Sequence, residues 1–510
     1  SAAFPLLEAG LNVLIVDGGI DSKFREPKGN YLDLKKNDKH QWKWLIGADY
    51  YGVKNKKVAS PKLRVPLHSY IFKNFASKNK IDNKNFLSIG SLSPGGLSNA
   101  WGGHVAIFNN SEIKKLNVNK KELLKSYESV VKRIGISGKN DDDLSDYCGL
   151  DKLAQKALEI DDLQGSILNK YESSNFFKRK NNFSLGRTRI AVLSEDLGDR
   201  KACKKDENFL FYTNNNSLYS SKSDLILLKK FNNFHYISGF LVSKFIKDGE
   251  NIRIFTNQKK VPFENIITKK LILASGTLAT TRLAMQALNY NKKISLKSCP
   301  TAGFLLFCPS KLGRSCKDSF SLGQVSYNFQ ITKTVDAYGS LFNASTIPLN
   351  EFINFSPFKT RYSIDLIQPI IKSCVVGNLF LPGDLSNISL KLDTNCALKI
   401  KSYYKEKLPF YMQRSKEILR ANFARLGAYM VPKSFQIGIK GSDIHYSATF
   451  PMRRNPKLGE TNINGELAGF SNVFLVDGSC LTFLPSKPHT LTIMANADRI
   501  GRYIAKNFKD

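Results

Sequence analysis

The eight cysteines of this 510-residue chain include no C-x-x-C pair. That excludes the dithiol of a redox motif and the paired-thiolate spacing of a zinc cluster, and the usage fits a reducing compartment such as the cytoplasm. No stretch approaches the roughly 18–20 consecutive apolar residues that a membrane span requires. Apolar runs such as Val13–Val16 and Leu271–Ala274 are only strand-length. A long Arg-rich block, a zinc-finger spacing and a basic helix leading into heptads are all missing, so the usual signatures of specific nucleic-acid binding are absent. Histidine is scarce, with six in all. Each one can therefore be weighed singly.

Hydrophobic residues make up 42% of the chain and aromatics 11%, enough for buried cores and too much for a disordered or low-complexity chain. The length fits two or three domains. Lys plus Arg exceeds Asp plus Glu by 33, which invites a polyanion-binding reading. Lys outnumbers Arg roughly three to one, however, and sits in scattered pairs such as Lys56-Lys57, Lys114-Lys115 and Lys292-Lys293. Arg is the better bidentate reader of phosphates and base edges. The charge therefore reads as a solvated surface, with a residual pull on an acidic substrate or an electron-transfer partner.

The first residues carry a recognisable unit. Ala2, Ala3, Leu6, Leu7 and Ala9 sit at helical spacing, and Gly10 supplies the stop. Leu11–Val16 then reads as a buried strand ending in Asp17-Gly18-Gly19. Helix, Gly, apolar strand and terminal acid form the second half of a dinucleotide-binding βαβ unit, whose acid bonds the adenosine ribose. The first half, a strand and a G-x-G-x-x-G turn, would lie before Ser1. The sequence thus reads as truncated at its N-terminus.

Three further segments extend the pattern. Residues 90–103 hold five glycines in fourteen residues, with Trp101 among them, and suit close backbone approach to a planar ring or a phosphate. Lys270–Thr277 reads as a buried strand running into Ala274-Ser275-Gly276, followed by a helix over Thr280–Leu288. Asn472–Ser479 repeats the strand-then-Asp-Gly pattern at Asp477-Gly478. Thr490–Lys506 follows as a helix with Ile493, Ala497, Ile500 and Ile504 on one face.

In this order the segments resemble the glucose–methanol–choline family of FAD-dependent oxidoreductases. The resemblance is good at both ends and patchy between, over about half of the chain, and Gly95–Trp101 is nearest to the pyranose oxidase and sugar dehydrogenase branch. It implies an FAD-binding, Rossmann-like α/β domain interleaved with a substrate domain on a mostly antiparallel sheet. The FAD domain would comprise 1–30, 85–110, 235–300 and 440–510, and the substrate domain 111–234 and 301–439, with 31–84 as connecting segment. The cofactor-binding positions that it implies are Asp17, Gly95, Gly96, Ser98, Asn99, Ala100, Trp101, Val242, Ala274, Gly276, Asp477, Gly478 and Thr490. Ala100 stands where some members attach the flavin to a His, so the FAD would be held non-covalently.

Oxidation of a CH–OH group by hydride transfer to flavin N5 needs a base for the hydroxyl proton, and imidazole is the best-matched side chain. Asp443–Met452 resembles the family's His-x-x-Gly-Thr-x-x-Met motif and puts His445 in that role, with Ala448 where Gly is usual. The second position has two readings. Members with Asn-Pro align on Pro488-His489, whereas members with His-x-x-Thr match His489 to Thr492; the latter puts His489 in the site. A helix N-terminus near Thr490 would favour an anionic reduced flavin. His104 reads as a packing residue, and His40, His68 and His235 carry no role.

In the middle of the chain, Tyr236–Ile246 and Asn251–Thr256 read as a hairpin turning at Asp248-Gly249. Phe320–Thr332, Tyr362–Ile371 and Val375–Leu381 read as strands of a substrate wall, with Asn387–Leu392 continuing that sheet beyond the turn at Pro382. The sequence thus favours a flavoprotein dehydrogenase or oxidase acting on a sugar or other alcohol, with an unknown electron acceptor, no specific nucleic acid and no transmembrane segment. The competing readings are a non-catalytic relative that has lost FAD and a polyanion-binding protein.

Overall fold

The computed structural model describes residues 1–24, 27, 29, 31–54, 61–82, 84–150, 152–178, 182–204, 207–210, 216–258, 261, 263–314, 316, 320–353, 356 and 358–508. Lys56-Lys57 lie outside them, while Lys114, Lys115, Lys292 and Lys293 are exposed. Along the chain, helix α1 (Ala3–Glu8) leads into strand β1 (Val13–Asp17), and a series of short helical turns precedes β2 (Ile81–Asp82). The glycine-rich stretch is a loop with one 3₁₀ turn at Gly96–Asn99. Helix α2 (Lys120–Ile134) is capped by the Asn119 side chain, and α3 (Asp162–Ser173) by that of Asp161. Strand β3 (Phe183–Arg187) and helix α4 (Ser221–Leu228) follow. Next come β4 (Phe234–Ser238), β5 (Val242–Asp248), β6 (Asn251–Thr256), β7 (Asn265–Thr268), β8 (Leu271–Leu273) and helix α5 (Thr277–Ala287). The second half holds β9 (Ile294–Ser298), β10 (Thr301–Phe307), β11 (Val325–Thr332), β12 (Val335–Asn343), helix α6 (Thr360–Ile370), β13 (Cys374–Phe380), β14 (Ser386–Leu392) and β15 (Leu398–Tyr404). Helix α7 (Leu408–Arg425), β16 (Tyr429–Met430), β17 (Gln436–Ile437), β18 (Tyr446–Ser447), β19 (Val473–Leu475) and α8 (Thr490–Lys506) complete the mixed α/β fold.

The largest sheet runs β16-β10-β13-β12-β11-β3, with β17 also on β10, and its pairings are antiparallel. Period-two alternation gives it two unlike faces. Val375, Gly377 and Leu379 of β13, with Phe304, Leu341 and Tyr327 of its neighbours, point into a core shared with α3 and α7. Val376, Asn378 and Phe380 take the opposite, half-exposed face. A second core lies between α5 and the sheet β18-β9-β14-β15-β2. Two parallel pairs, β1 with β4 and β8 with β19, lie against the helical layer of α1 and α8, where Val13 and Ile272 pack on one cluster with Leu6, Ala497 and Ile500.

Several sequence expectations need correction. Tyr362–Ile371 is not a strand; it is helix α6. Tyr362, Ile364 and Leu366 mimic a period of two, but Ile367 and Ile370 continue a helical spacing, and the Ser363 hydroxyl bonds back to the Lys359 carbonyl at 3.1 Å. Tyr236–Ile246 is two strands, β4 and β5, broken at Gly239 with φ +84°; β4 pairs with β1 in parallel, while β5 makes the expected hairpin with β6. Asn387–Leu392 does not continue the substrate wall. At Gly383 the backbone N–H donates to the Leu484 carbonyl, the chain leaves the large sheet, and β14 pairs with β9 and β15. The strand expected over Phe320–Thr332 begins only at Val325, and α5 begins three residues before Thr280, immediately after Gly276.

Candidate active site

His445 and His489 come from the two ends of one small assembly. After β9, the Asp443 carboxylate accepts from the Ser298 hydroxyl (2.7 Å), the Cys299 N–H (2.7 Å) and the His445 N–H (3.2 Å). Between Asp443 and His445 the chain reverses through Ile444 at φ +61°, and β18 then pairs with β9. His489 is the residue preceding the first turn of α8. The two imidazoles meet edge to face with centroids 4.8 Å apart, and Phe380 of the large sheet lies 4.9 Å from His445. Nδ1 of both rings is buried without a hydrogen-bond partner among the described residues.

Burial sets the charge states here. Desolvation lowers the His445 imidazole to about 4, and burial together with His445 holds His489 well below the ordinary value. Both rings are therefore neutral near pH 7, as a proton acceptor must be. Desolvation also raises Asp443 to about 7. Ala448, where the resembling motif has Gly, sits at φ +62°; the left-handed backbone explains the Gly preference.

The second half of the site is positioned by Lys487. Its ammonium is buried, pairs with Glu112 at 2.9 Å, donates to the Tyr147 carbonyl at 2.9 Å and lies over the Tyr147 ring. Tyr147 in turn stacks on Tyr338 of β12. Two residues later stands His489, so this clasp anchors the approach to α8.

The glycine-rich loop is held from behind and open in front. The Ser221 N–H donates to Ser98 Oγ at 2.9 Å, the Ser220 hydroxyl to Asn99 Oδ1 at 2.7 Å, and Trp101 Nε1 to the Tyr219 carbonyl at 2.7 Å. Ser98, Asn99 and Trp101 thus tie the loop to the start of α4. Gly95 and Gly96 have φ of +86° and +59°, and no atom lies within 4 Å of where a Cβ on Gly96, Gly102 or Gly276 would stand. Ala100 and Val242 are half-buried, Thr490 opens α8, and Ala274 and Gly276 are exposed at the end of β8. Asp17, at the end of β1, accepts from the Gly19 N–H and the Tyr236 hydroxyl, both at 2.8 Å. Asp477 is engaged inside the fold, accepting from the Thr280 hydroxyl at 2.5 Å and the Ser479 N–H at 3.0 Å. A Cβ on Gly478 would come within 2.5 Å of the Tyr446 carbonyl oxygen, so that glycine has a packing reason of its own. His104 packs on the wall, stacked on Phe342 with Nδ1 3.0 Å from Ser340 Oγ.

No protein-family model matches the sequence, and no curated protein does. Among solved structures, pyridoxine 4-oxidase from Mesorbium loti superposes with a TM-score of 0.56 at 13% sequence identity, over 100% of this chain and 98% of that one. The two chains share a fold. At that identity the likeness extends to architecture, and the site must be argued from this chain's own residues.

Two residues of the assembly escaped sequence reasoning. Asp443 stood inside the quoted motif, but its three donors lie on β9 and on its own turn, and only folding brings them together. Phe380 was placed on the right strand; its contact with His445 depends on which sheet face meets β18. No metal-like arrangement is present among the described residues beyond Cys299, Asp443 and His445, whose potential ligand atoms lie within 4.8 Å of one another.

Proposed function

We propose that this protein is an FAD-dependent oxidoreductase that oxidises a CH–OH group of a small molecule, a sugar or another alcohol, with His445 as the proton acceptor. The observation that carries the reading is the pair of neutral imidazoles 4.8 Å apart at the head of α8, opposite a half-exposed sheet face. The residues fit a flavin adenine dinucleotide: Gly96, Gly102 and Gly276 leave room against the backbone, the Asp17 carboxylate closes β1, and α8 begins at Thr490 with no side-chain cap from its N-cap residue. A bound flavin supplies the electron acceptor for the carbinol hydrogen. His445 Nε2 takes the hydroxyl proton, His489 shares the proton-bearing site, and Phe380 excludes water on the wall side. Asp443 holds the His445 backbone, and Lys487 holds the approach to His489.

The same reading assigns residues 1–30, 85–110, 235–300 and 440–510 to cofactor binding and the large sheet to the substrate. The Gly95–Trp101 loop favours a sugar-type alcohol as substrate. The shared fold with an enzyme named as an oxidase of pyridoxine supports the oxidoreductase class.

The test is the absorbance of the purified protein between about 350 and 500 nm, followed by a screen of alcohols and sugars with oxygen or an artificial electron acceptor. A flavin spectrum bleached by an alcohol is expected. A colourless protein that takes up no added FAD overturns the reading in favour of a non-catalytic relative.

A further inference from the structure

Helix α6 carries a surface that the oxidoreductase reading does not use. It lies in the excursion between β12 and β13, and of its eleven residues only Ser363 is described as buried. Tyr362 and Leu366, one turn apart on the helix, are 64% and 50% exposed, and Phe358, just before the helix begins, is 57% exposed. Exposed large apolar side chains gathered on one short segment point to an interaction surface. Leu312, 49% exposed, lies in the neighbouring excursion after β10. The two excursions are joined where the Cys308 N–H donates to the Ser373 carbonyl at 2.8 Å.

The surroundings of these side chains are basic. Lys359, Arg361 and Lys372 are exposed on the α6 segment, against a single acid, Asp365. Across the contact, Lys311 and the exposed Arg314 add two more cations. Exposed apolar side chains on a helix flanked by Lys and Arg match a bilayer surface with anionic headgroups. No helix among the described residues is long and apolar enough to cross a membrane, so the contact would be peripheral.

We propose that α6 and the adjoining Leu312 loop dock this protein on an anionic lipid surface, Phe358, Tyr362 and Leu366 entering the headgroup boundary and the flanking cations pairing with lipid phosphates. The proposal does not depend on the flavin reading and is tested without turnover. The purified chain is centrifuged with phosphatidylcholine vesicles, with and without phosphatidylglycerol, at low and at physiological salt. Binding is expected only with phosphatidylglycerol and should weaken as salt rises. Tyr362→Gln with Leu366→Gln should lower partitioning by roughly tenfold or more, from the loss of two apolar side chains. Neutralising Lys359, Arg361 and Lys372 to Gln should cost roughly fivefold per residue. Ile267→Gln, at a 52% exposed apolar residue of β7, is the control and should bind like the unsubstituted chain. Far-ultraviolet circular dichroism checks that each variant is folded. Equal binding to both vesicle types, no binding at low salt, or undiminished binding of the Tyr362/Leu366 variant overturns the proposal. So does capture by an immobilised acidic protein in the absence of any vesicle binding, which would make the patch a protein-docking surface.

Discussion

At the scale of single residues, the two imidazoles and Asp443 make opposite demands on pH. The His445 ring, lowered to about 4 by burial, stays a competent base well below the usual imidazole range. The acid limb of kcat/KM should therefore fall nearer pH 4 than 6.5, and His445→Ala should retain flavin while losing about 10²–10⁴-fold in turnover. An acid limb near 6.5, or unchanged turnover in the variant, removes His445 from the mechanism. Asp443 is raised to about 7 from an unfolded value of 3.8, so the folded chain holds its proton more tightly than the unfolded one. That stabilisation is complete below about pH 4 and lost as pH rises to about 7. Asparagine reproduces the protonated form: its carbonyl accepts from the Cys299 and His445 N–H groups and its amide donates to Ser298 Oγ. Asp443→Asn should match the parent within about 1 kcal/mol at pH 5 and exceed it at pH 8, whereas Asp443→Ala should cost about 3 kcal/mol at pH 5. Urea unfolding at the two pH values measures both. The histidines were legible in the sequence because each sits in a motif of its own. Asp443 was not, since its donors lie nearly 150 positions away at Ser298 and Cys299.

At the scale of elements, α8 was legible to the residue, from its apolar face at Ile493, Ala497, Ile500 and Ile504, and so was the stop of α1 at Gly10. Apart from the β5–β6 hairpin, the strand pairings were not. Asn387–Leu392 has the alternation of a wall strand, and nothing local says that Gly383 is pulled toward Leu484 and out of that sheet. Helix α6 was misread because a half-exposed helix with apolar residues on two sides has no single period to follow. The orientation of α8 relies on a further nonlocal element, the Lys487 to Glu112 pair. Lys487 is 1% exposed, so removing its partner leaves a buried charge unmatched. Glu112→Gln should destabilise the fold by about 3 kcal/mol, and because Lys487 lies two residues before His489, it should also raise the KM of the substrate that the screen identifies. Thermal unfolding and steady-state kinetics read the two effects separately. An effect on stability alone would mean that the clasp is a packing device without influence on the site.

At the scale of the whole molecule, the candidate cofactor residues belong to segments far apart in sequence: the end of β1, the glycine-rich loop, the end of β8 and the head of α8. The first two are anchored to different neighbours, Asp17 to Tyr236 and Asn99 to Ser220, and Asp477, after β19, is anchored to Thr280. A nucleotide spanning them would add to the direct contacts they already make, such as the Ile20 N–H donating to the Leu92 carbonyl at 3.0 Å. Binding to the native state alone stabilises by RT ln(1 + [L]/Kd), about 2.7 kcal/mol when ligand stands at a hundred times Kd. For a molecule of this size that is a rise of about 2–3 degrees in the unfolding temperature. If the proposed cofactor is right, added FAD should produce it, and NAD, which lacks the flavin ring, should not. The net charge of +33 complicates the comparison, because any polyanion stabilises so basic a surface nonspecifically. Repeating the melt at raised salt separates the two, since screening removes the surface contribution and leaves a buried nucleotide largely unaffected. A shift that FAD and NAD share, and that salt abolishes, would reduce the glycine-rich loop to a structural turn and return the molecule to the polyanion-binding reading that its composition first invited.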